Sequence, residues 1–262
     1  MENTIINVEN ANVCLDEKEI LHNINLKINQ GDRYFILGAN GAGKTTLIRT
    51  FLGYLWPVWG ATVELFGQRL GKCDVNELRK SISWISPFLK HKFDKNFSAL
   101  DVILTGTDAF FGFFRKPTKE QIKLAKDILY SLNGEHLEQK NFYHLSSGEQ
   151  MKILLARAMM INPKLLILDE PNVYLDIKER EVLLSAVEQL ALSNKDLTII
   201  FISQRIEDIL PLFNQGMILK DGIIKVKGTR EEVLSAENIK MAFDIDVDLI
   251  KTPNGRIWAM AK

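Results

Sequence analysis

The most constraining feature of this sequence is a glycine-rich segment between an apolar strand and a helix. Residues 38–45, GANGAGKT, satisfy the pattern G-x-x-x-x-G-K-[ST]. The apolar residues 33–37 before them predict a buried strand, and residues 46–52 after them predict a helix. Glycines let successive backbone N–H groups converge on phosphate oxygens, which a Cβ would obstruct. In this context the segment predicts a phosphate-binding loop and disfavours an incidental glycine-rich turn.

The residues of this loop have distinct predicted roles. Lys44 is expected to reach the β- and γ-phosphates of a nucleotide, and the Thr45 hydroxyl is expected to bind Mg²⁺. Thr46 is expected to donate a hydrogen bond to the α-phosphate, and the positive end of the helix dipole points at the same charge. The backbone cradle is expected to consist of Gly38, Ala39, Asn40, Gly41, Ala42 and Gly43.

A second apolar segment ends in two acidic residues. Residues 165–168 are LLIL, and Asp169 and Glu170 follow them. A central strand of a parallel sheet is buried on both faces, and nucleotide sites lie at its carboxyl end. Asp169 is predicted to hold Mg²⁺ through its water shell, and Glu170 to accept a proton from an attacking water. Two solvated acids that end a strand are the plainer alternative, which the phosphate loop upstream disfavours.

Strands and helices follow one another in a pattern typical of an α/β sheet with an inserted helical block. Residues 88–160 are mainly helical in pattern, with a clear 3.6-residue period at 119–130. Asp221-Gly222 predicts a hairpin turn. Strands are predicted at 4–8, 12–15, 24–28, 33–37, 61–65, 81–85, 165–168, 198–202, 217–219 and 223–226.

Residues 145–150, LSSGEQ, precede an amphipathic helix. This segment resembles the LSGGQ signature of the ABC (ATP-binding cassette) ATPases, with Ser147 in place of the first glycine. The phosphate loop, the helical insert, the acidic strand end and Leu175-Asp176 follow the order of that family, so the resemblance spans essentially the whole chain. On its own, the segment would indicate only a helix capped by Ser146, with Glu149 completing the cap.

The resemblance implies a P-loop NTPase fold of ABC type. This is an α/β fold with a mixed sheet core, an N-terminal antiparallel β subdomain and an inserted helical subdomain. We expect residues 1–262 to form a single ABC ATPase domain that binds ATP and Mg²⁺. Its expected parts are a nucleotide-binding core at 1–87 and 161–245, a helical subdomain at 88–160 and a C-terminal extension at 246–262.

The resemblance also implies partners. In the family the signature completes the γ-phosphate site of a second cassette, so that two cassettes enclose two ATP molecules. Ser146, Ser147, Gly148 and Glu149 are the residues expected to do this here. The implied partners are a second cassette, as a homodimer, and membrane-spanning permease subunits.

Three positions depart from the family pattern. Pro87 stands where the family has a glutamine, Gln204 stands where it has a switch histidine, and Leu15 stands where an aromatic residue stacks on adenine. Leu15 is expected to press on the base with less specific attraction than a ring. Gln204 is expected to donate a hydrogen bond to the γ-phosphate, but it cannot carry a proton as histidine does. These departures imply slow hydrolysis, with Glu170 and Gln204 as the catalytic residues.

Aromatic residues cluster at the start of the helical block. The family receives a helix of the membrane subunit there, and an apolar groove would suit it. The rings are equally well suited to filling the core of the helical block, since exposed aromatic clusters are uncommon. Half of the chain's 14 phenylalanines belong to this cluster: Phe88, Phe93, Phe97, Phe110, Phe111, Phe113 and Phe114.

Charge and composition restrict the remaining classes of function. The 33 basic and 33 acidic residues cancel, which argues against a nucleic-acid partner bound by a global basic field. No apolar stretch approaches the roughly 18 residues of a membrane span, and no signal peptide is visible. Cys14 and Cys73 are isolated and lack metal-ligand or disulfide spacing. We expect a cytoplasmic protein that is peripheral on the cytoplasmic face of the membrane.

The leading interpretation is an ATP-binding and hydrolysing subunit that energises an ABC transporter through ATP-driven dimerisation. Residues 101–106 and 228–243 resemble those of metal-chelate and cobalamin importers. One alternative is a soluble ABC ATPase of a cytosolic assembly or repair system. The other is a nucleotide-binding regulatory cassette with weak hydrolysis.

Overall fold

The computed structural model describes residues 4–108, 112 and 116–262. The strands in these ranges are β1 (Thr4–Leu15), β2 (Lys18–Asn29), β3 (Arg33–Leu37), β4 (Thr62–Leu65), β5 (Gln68–Arg69), β6 (Ile82–Ile85), β7 (Leu165–Asp169), β8 (Thr198–Ser203), β9 (Gln215–Lys220), β10 (Ile223–Thr229), β11 (Val247–Lys251) and β12 (Ile257–Ala261). The α-helices are α1 (Lys44–Phe51), α2 (Val75–Arg79), α3 (Ala99–Leu104), α4 (Lys119–Ser131), α5 (Ser147–Met159), α6 (Ile177–Ser193), α7 (Arg230–Val233) and α8 (Ala236–Phe243). Short 3-10 helices lie at Pro87–Lys92, Thr105–Asp108, Glu135–Leu137, Phe142–His144 and Ile206–Asp208.

The chain divides into two compact units, Met1–Arg79 with Asp196–Lys262, and Lys80–Lys195. The nucleotide-binding core predicted from the sequence, residues 1–87 and 161–245, differs from the first unit at residues 80–87 and 161–195, and its bounds stay a prediction. In the structure β7 pairs in parallel with β6, and α6 packs on α5. These contacts group residues 161–195 with the helical segment in the second unit.

The first unit contains an antiparallel sheet in the order β2-β1-β4-β5. The sequence predicted separate strands at 4–8 and 12–15, but β1 runs through both without a break. Asn10, with φ 52°, and Asn23, with φ 47°, lie where the β1–β2 register shifts. Bulges of this kind bend a strand without ending it, so the predicted gap is an irregularity within a long strand.

The first unit also contains a mixed arrangement of strands in the order β10-β9-β3-β8. β3 pairs in parallel with β8 and β9, and β10 returns antiparallel to β9. The predicted hairpin turn is confirmed, with Asp221 at φ 50° and Gly222 at φ 73°. Phe35 and Phe201 on these strands and Phe213 nearby are fully buried, so this region holds a core of the unit.

A second hairpin, formed by β11 and β12, lies near the end of the chain. No strand or helix is predicted from the sequence in this C-terminal extension, residues 246–262. Each of its strands buries only the first residue, Val247 or Ile257, so the alternation of buried and exposed positions is faint. A half-buried strand is recognised in a sequence by that alternation, which explains why the hairpin was missed.

The second unit combines the parallel pair β6–β7 with helices α3 to α6. Gly106 lies so close to α5 that a Cβ there would be 2.3 Å from the Arg157 carbonyl oxygen. The Arg157 Nε donates to the Thr105 Oγ1 at 2.9 Å, and burial lowers the pKa of Arg157 to about 10. Of the helices in the described ranges, none has the length and apolar character needed to cross a bilayer.

The phenylalanine cluster is partly described. Phe93 is buried, and its ring meets that of Phe142 edge-on with 5.4 Å between centroids. Phe97 is half-buried, whereas Phe88 is 79% exposed. Phe93 is therefore a core residue, whereas Phe88 is a surface residue. The remaining members lie outside the described residues: Phe110, Phe111, Phe113 and Phe114.

Candidate functional site

The glycine-rich loop joins β3 to α1 in a conformation that its glycines make possible. Gly43, directly before the helix, has φ 100°, and a Cβ there would lie 2.9 Å from Leu21 Cδ2. A Cβ on Gly38 would lie 2.3 Å from the carbonyl oxygen of Leu219 in β9. Side chains at these two positions would displace backbone or core atoms, so the loop keeps its shape only with glycine.

Helix α1 begins without the caps that other helices of the chain have. Its N-cap residue, Gly43, provides no side-chain hydrogen bond, and no acidic residue lies in the first turn. In contrast, α3, α4 and α5 each begin with a capping box and an acidic residue in the first turn. The positive end of α1 is thus uncompensated by side chains, which is the arrangement that suits a bound anion.

Lys44 is held inside the curve of the loop. Its Nζ donates to the carbonyl oxygens of Gly38 and Ala39, both at 2.8 Å, and the residue is only 5% exposed. Thr45, the next residue, is exposed, and Thr46 is half-buried. The loop therefore combines backbone amides, one buried cation and two hydroxyls, which fits the triphosphate of a nucleotide.

The register of the parallel strands places Gln204 beside the start of this loop. Leu37, at the end of β3, pairs with Ser203, at the end of β8. Gly38 and Gln204 each follow directly, and neighbouring strands lie about 4.8 Å apart. Gln204 is half-buried, and its side chain makes no hydrogen bond within the part of the chain that the structure describes. Its contact with a phosphate in the loop stays a prediction.

The segment after Gln204 carries a hydrogen-bond network that the sequence did not reveal. The Ser203 hydroxyl donates to Asp208 Oδ2 at 2.9 Å and accepts from the Arg205 backbone N–H at 2.9 Å. Asp208 is 1% exposed. This buried contact holds both ends of the short segment that contains Gln204.

Leu15 lies at the end of β1, in the turn to β2. It is half-buried and pairs with Lys18 across the hairpin. Asp16 and Glu17 form the turn with φ 47° and 65°. Leu15 thus offers an apolar surface at the edge of the first unit, and its contact with adenine stays a prediction.

In the second unit, Asp169 and Glu170 end β7 as the sequence predicted. Asp169 is 5% exposed, and Glu170 is half-buried with φ 51°, a left-handed conformation. Such a conformation is uncommon for a glutamate and turns its side chain away from the strand direction. Asn172, which the sequence analysis missed, is 4% exposed, and neither end of its amide has a hydrogen-bond partner in the described structure.

The start of α5 is a capping box built from the signature residues. The Ser146 Oγ accepts from the Glu149 N–H at 3.2 Å, and the Glu149 carboxylate accepts from the Ser146 N–H at 2.9 Å. The segment thus has the cap geometry that its residues predict on their own, and its contact with the nucleotide of a second cassette stays a prediction. Gly148 lies against α6, where a Cβ would be 2.7 Å from Glu179 Cβ. The signature fixes both the start of α5 and its close approach to α6.

Pro87 begins the 3-10 helix Pro87–Lys92, and this segment contacts the signature through a lysine. The Lys90 Nζ donates to the Ser147 carbonyl oxygen at 3.3 Å. Partial burial lowers the pKa of Lys90, while the negative charge of Glu179 opposes that change. Lys90 was not singled out from the sequence, since a contact to a backbone carbonyl leaves no residue pattern.

The donor set is compatible with Mg²⁺ held mainly by phosphate and water. Among the described residues, no group of three or more His, Cys, Asp or Glu side chains is arranged to hold a metal ion. Mg²⁺ commonly keeps several waters and binds one or two protein oxygens plus substrate phosphates. Thr45 and Asp169 carry oxygens of that kind, and their contact with Mg²⁺ stays a prediction.

Comparisons with known proteins agree with this chemistry. Residues 21–173 match the sequence profile of the ABC transporter family. The chain is 32% identical over 247 residues to the ABC transporter ATP-binding protein YlmA of Bacillus subtilis (strain 168), which covers 94% of this chain and 93% of that protein. It is 30% identical to the molybdate import ATP-binding protein MolC of Haemophilus influenzae, over 93% of this chain and 89% of that protein. A solved metal-chelate type ABC transporter in an inward-facing conformation matches with TM-score 0.82 and 26% identity, over 99% of this chain and 98% of that chain.

Proposed function

The chain belongs to the ABC transporter family as an ATP-binding subunit, and on this premise we propose that it energises an importer by dimerising around ATP and hydrolysing it. The single observation that carries the proposal is the uncapped start of α1 beside Lys44. An anion there gains backbone N–H groups, the helix dipole and a buried ammonium together.

The proposed hydrolysis assigns one role to each polar group. Thr45 and Asp169 hold Mg²⁺, which offsets the charge of the β- and γ-phosphates when it is bound. Glu170 accepts the proton of the attacking water. Gln204 donates its amide N–H to a γ-phosphate oxygen, a role supported by its position beside the loop. As the water oxygen bonds to the γ-phosphorus and the bond to the bridging oxygen breaks, Lys44 stabilises the charge that develops on the β-phosphate of the leaving ADP.

The rate of this reaction is proposed to be slow. A histidine at position 204 would add a positive charge near neutral pH, and the neutral Gln204 amide does not. Pro87 supplies no side-chain oxygen to Mg²⁺, in contrast to the glutamine typical of the family. The acid Glu170 is retained, so we propose turnover and not a purely regulatory cassette.

The proposed dimer uses the signature of one copy to complete the site of the other. The Ser146 Oγ accepts a hydrogen bond within the cap, and its own proton remains available to donate to a phosphate. The first N–H groups of α5, at Ser147 and Gly148, lack acceptors within the helix. These donors support a γ-phosphate contact in trans.

The proposed machine includes permease subunits in the membrane, with this chain on their cytoplasmic face. Two relatives support the proposed import direction and class of cargo: MolC is a molybdate import ATP-binding protein, and the similar structure is of metal-chelate type. We propose cargo of that kind, a metal oxyanion or metal chelate. Co-purification of a permease from membranes tests this part.

The decisive experiment replaces the proposed base. Glu170→Gln keeps the size of the side chain but removes its ability to take a proton, so ATP should remain bound and trap a dimer. Size-exclusion chromatography with light scattering should give a dimer for this variant with ATP and Mg²⁺, and a monomer without them. Glu188→Gln, on the exposed face of α6, is the matched control and should behave as the wild type. ATP-saturated Glu170→Gln that stays monomeric would overturn the dimer mechanism.

A further inference from the structure

The C-terminal hairpin contacts the segment that contains Gln204. That segment runs from Ser203 through the 3-10 helix Ile206–Asp208 to Ile209. β12 packs against this 3-10 helix, within the same compact unit. The hairpin therefore contacts residues that closely follow the one proposed to bind the γ-phosphate.

Arg256, at the start of β12, makes the first contact. Its guanidinium donates from Nε and Nη2 to the carbonyl oxygen of Glu207, at 3.3 and 2.7 Å. The residue is 8% exposed. Two donors from a planar group on one carbonyl fix both the distance and the orientation of the peptide that they hold.

Arg230, at the start of α7, makes the second contact. Its Nη2 donates to the carbonyl oxygen of Ile209 at 3.3 Å and to that of Gly255 at 2.9 Å. It is 3% exposed. One buried guanidinium thus joins the end of the Gln204 segment to the turn of the hairpin.

The turn that presents these groups is itself well fixed. The Thr252 N–H donates to the Arg256 carbonyl, and the Gly255 N–H donates to the Thr252 carbonyl, both at 2.8 Å. A Cβ on Gly255, which has φ 79°, would lie 3.3 Å from Pro211 Cγ. The turn is therefore closely packed on the segment and has little freedom to move away from it.

Buried arginines are costly to place, and here Arg256 binds a carbonyl within the 3-10 helix and Arg230 binds that of Ile209, directly after it. Burial lowers the pKa of Arg230, but an arginine stays charged in any ordinary solution. Positive charge at the carbonyl end of a helix is stabilising. Both guanidinium groups donate to main-chain oxygens, so they constrain the backbone of residues 207–209 directly.

We propose that the C-terminal hairpin positions Gln204 for the γ-phosphate, with Arg256 and Arg230 as the positioning residues. Arg256 fixes the peptide at Glu207, and the Ser203–Asp208 contact carries that constraint back to Gln204. The inference rests on the role of Gln204 in the proposed function.

A double-mutant cycle tests this proposal, with Arg256→Ala, Gln204→Ala and their combination. Loss of a hydrogen bond that lowers the activation free energy by about 1–1.5 kcal/mol reduces the rate roughly tenfold. Each single variant should therefore lose on the order of tenfold in kcat. The dissociation constant for ATP should stay within about twofold, since the phosphate loop is untouched. The double variant should be no slower than Gln204→Ala alone, because Arg256 acts through Gln204.

Two further variants keep the test interpretable. Arg256→Lys retains the charge and most of the volume but loses the two-donor contact, so its kcat should fall between those of the wild type and Arg256→Ala. This variant keeps the positioning role testable if Arg256→Ala folds poorly. Lys251→Ala, exposed on β11, should have wild-type kcat.

The outcomes separate the two proposals. A reduced kcat for Gln204→Ala with wild-type kcat for Arg256→Ala overturns the positioning role alone. The positioning role is also overturned if Arg256→Ala lowers kcat by the same factor in the Gln204→Ala background as in the wild type. A purely structural effect would appear in both backgrounds. A wild-type kcat for Gln204→Ala overturns the sensor role in the proposed function, and the positioning role with it.

Discussion

Lys44 and Gly43 show how much of the phosphate loop depends on single side chains. Gly43 supplies a left-handed backbone and no cap, which leaves the end of α1 positive. Lys44 adds a charge that two carbonyl oxygens hold within the loop. When a nucleotide binds, the same ammonium is placed to exchange these neutral acceptors for charged phosphate oxygens, which are stronger partners.

Lys44→Met should therefore weaken ATP binding on the order of 100-fold, since a charge-assisted hydrogen bond contributes about 1.5–3 kcal/mol. Arg49→Met, on the exposed side of the last turn of α1, changes the net charge equally and should leave the affinity near wild type. Titration calorimetry of both variants with ATP measures this. Equal affinity losses would mean that the lysine acts only through the overall charge.

At the level of elements, the helices of this chain start in two different ways. α1 begins without a cap and is suited to an external anion, whereas α4 and α5 begin with capping boxes that satisfy their own N–H groups. The cap of α5 is made of signature residues, so Ser146 caps the helix and is also the residue proposed to bind phosphate. A comparison with the cap of α4 separates the two contributions.

Ser146→Ala and Thr118→Ala remove equivalent caps, and each should lower the free energy of unfolding by about 1 kcal/mol. Only Ser146→Ala should also weaken ATP-dependent dimerisation, because Thr118 lies outside the signature. Denaturant unfolding and light scattering with ATP, in the Glu170→Gln background, measure the two effects. If both variants dimerise as well as the parent, Ser146 is a cap and nothing more.

An ionic cluster links α4 to the 3-10 helix that follows it. The Glu138 carboxylate accepts from Lys126 Nζ at 2.9 Å and from the Tyr130 hydroxyl at 2.7 Å. These two contacts lower the pKa of Glu138 from its usual 4.5 to about 2. Because the pKa is lower in the folded state, ionised Glu138 stabilises the fold above about pH 4.5, and this contribution is lost as the pH falls toward 2.

Glu138→Gln should consequently lower Tm at pH 7, and the difference from wild type should shrink as the pH drops below 4.5. Thermal unfolding followed by circular dichroism across that range checks it. Glu135→Gln, an exposed neighbour, is the control and should show no comparable trend. A Tm difference that stays constant down to pH 3 would contradict the assigned cluster.

For the whole molecule, the proposed binding of MgATP is linked to the stability of the folded chain. A ligand that binds only the folded chain stabilises it by RT ln(1 + [L]/Kd), about 2.7 kcal/mol at 100 times Kd. Nucleotide binding should therefore appear in global stability as well as in local contacts.

MgATP should raise Tm by several degrees, and Asp169→Asn should lose the part of this increase that depends on Mg²⁺. The reason is that the carboxylate is proposed to act on the metal and not on the nucleotide. Differential scanning fluorimetry with ATP plus either Mg²⁺ or EDTA separates the two parts. Asp127→Asn, exposed on α4, should keep both parts. A full Mg²⁺-dependent increase in Asp169→Asn would exclude Asp169 as a metal ligand.

The elements that carry local patterns were predictable from the sequence. The phosphate loop, the acids at the end of β7, the capped start of α5 and the Asp221-Gly222 turn each lie within a few consecutive residues, where backbone conformation and residue type are directly linked. The comparisons confirm the family and the fold class inferred from these motifs. The exact roles of the site residues stay predictions.

The relations between distant segments required the tertiary structure. The pairing of Leu37 with Ser203 places Gln204 beside the phosphate loop, and the contacts of Lys90 and Arg256 end on backbone carbonyls. Every residue offers the same carbonyl, so such contacts leave no signature in the choice of side chain. Local chemistry thus fixed which residues can bind a nucleotide, while long-range packing decided which others hold them in place.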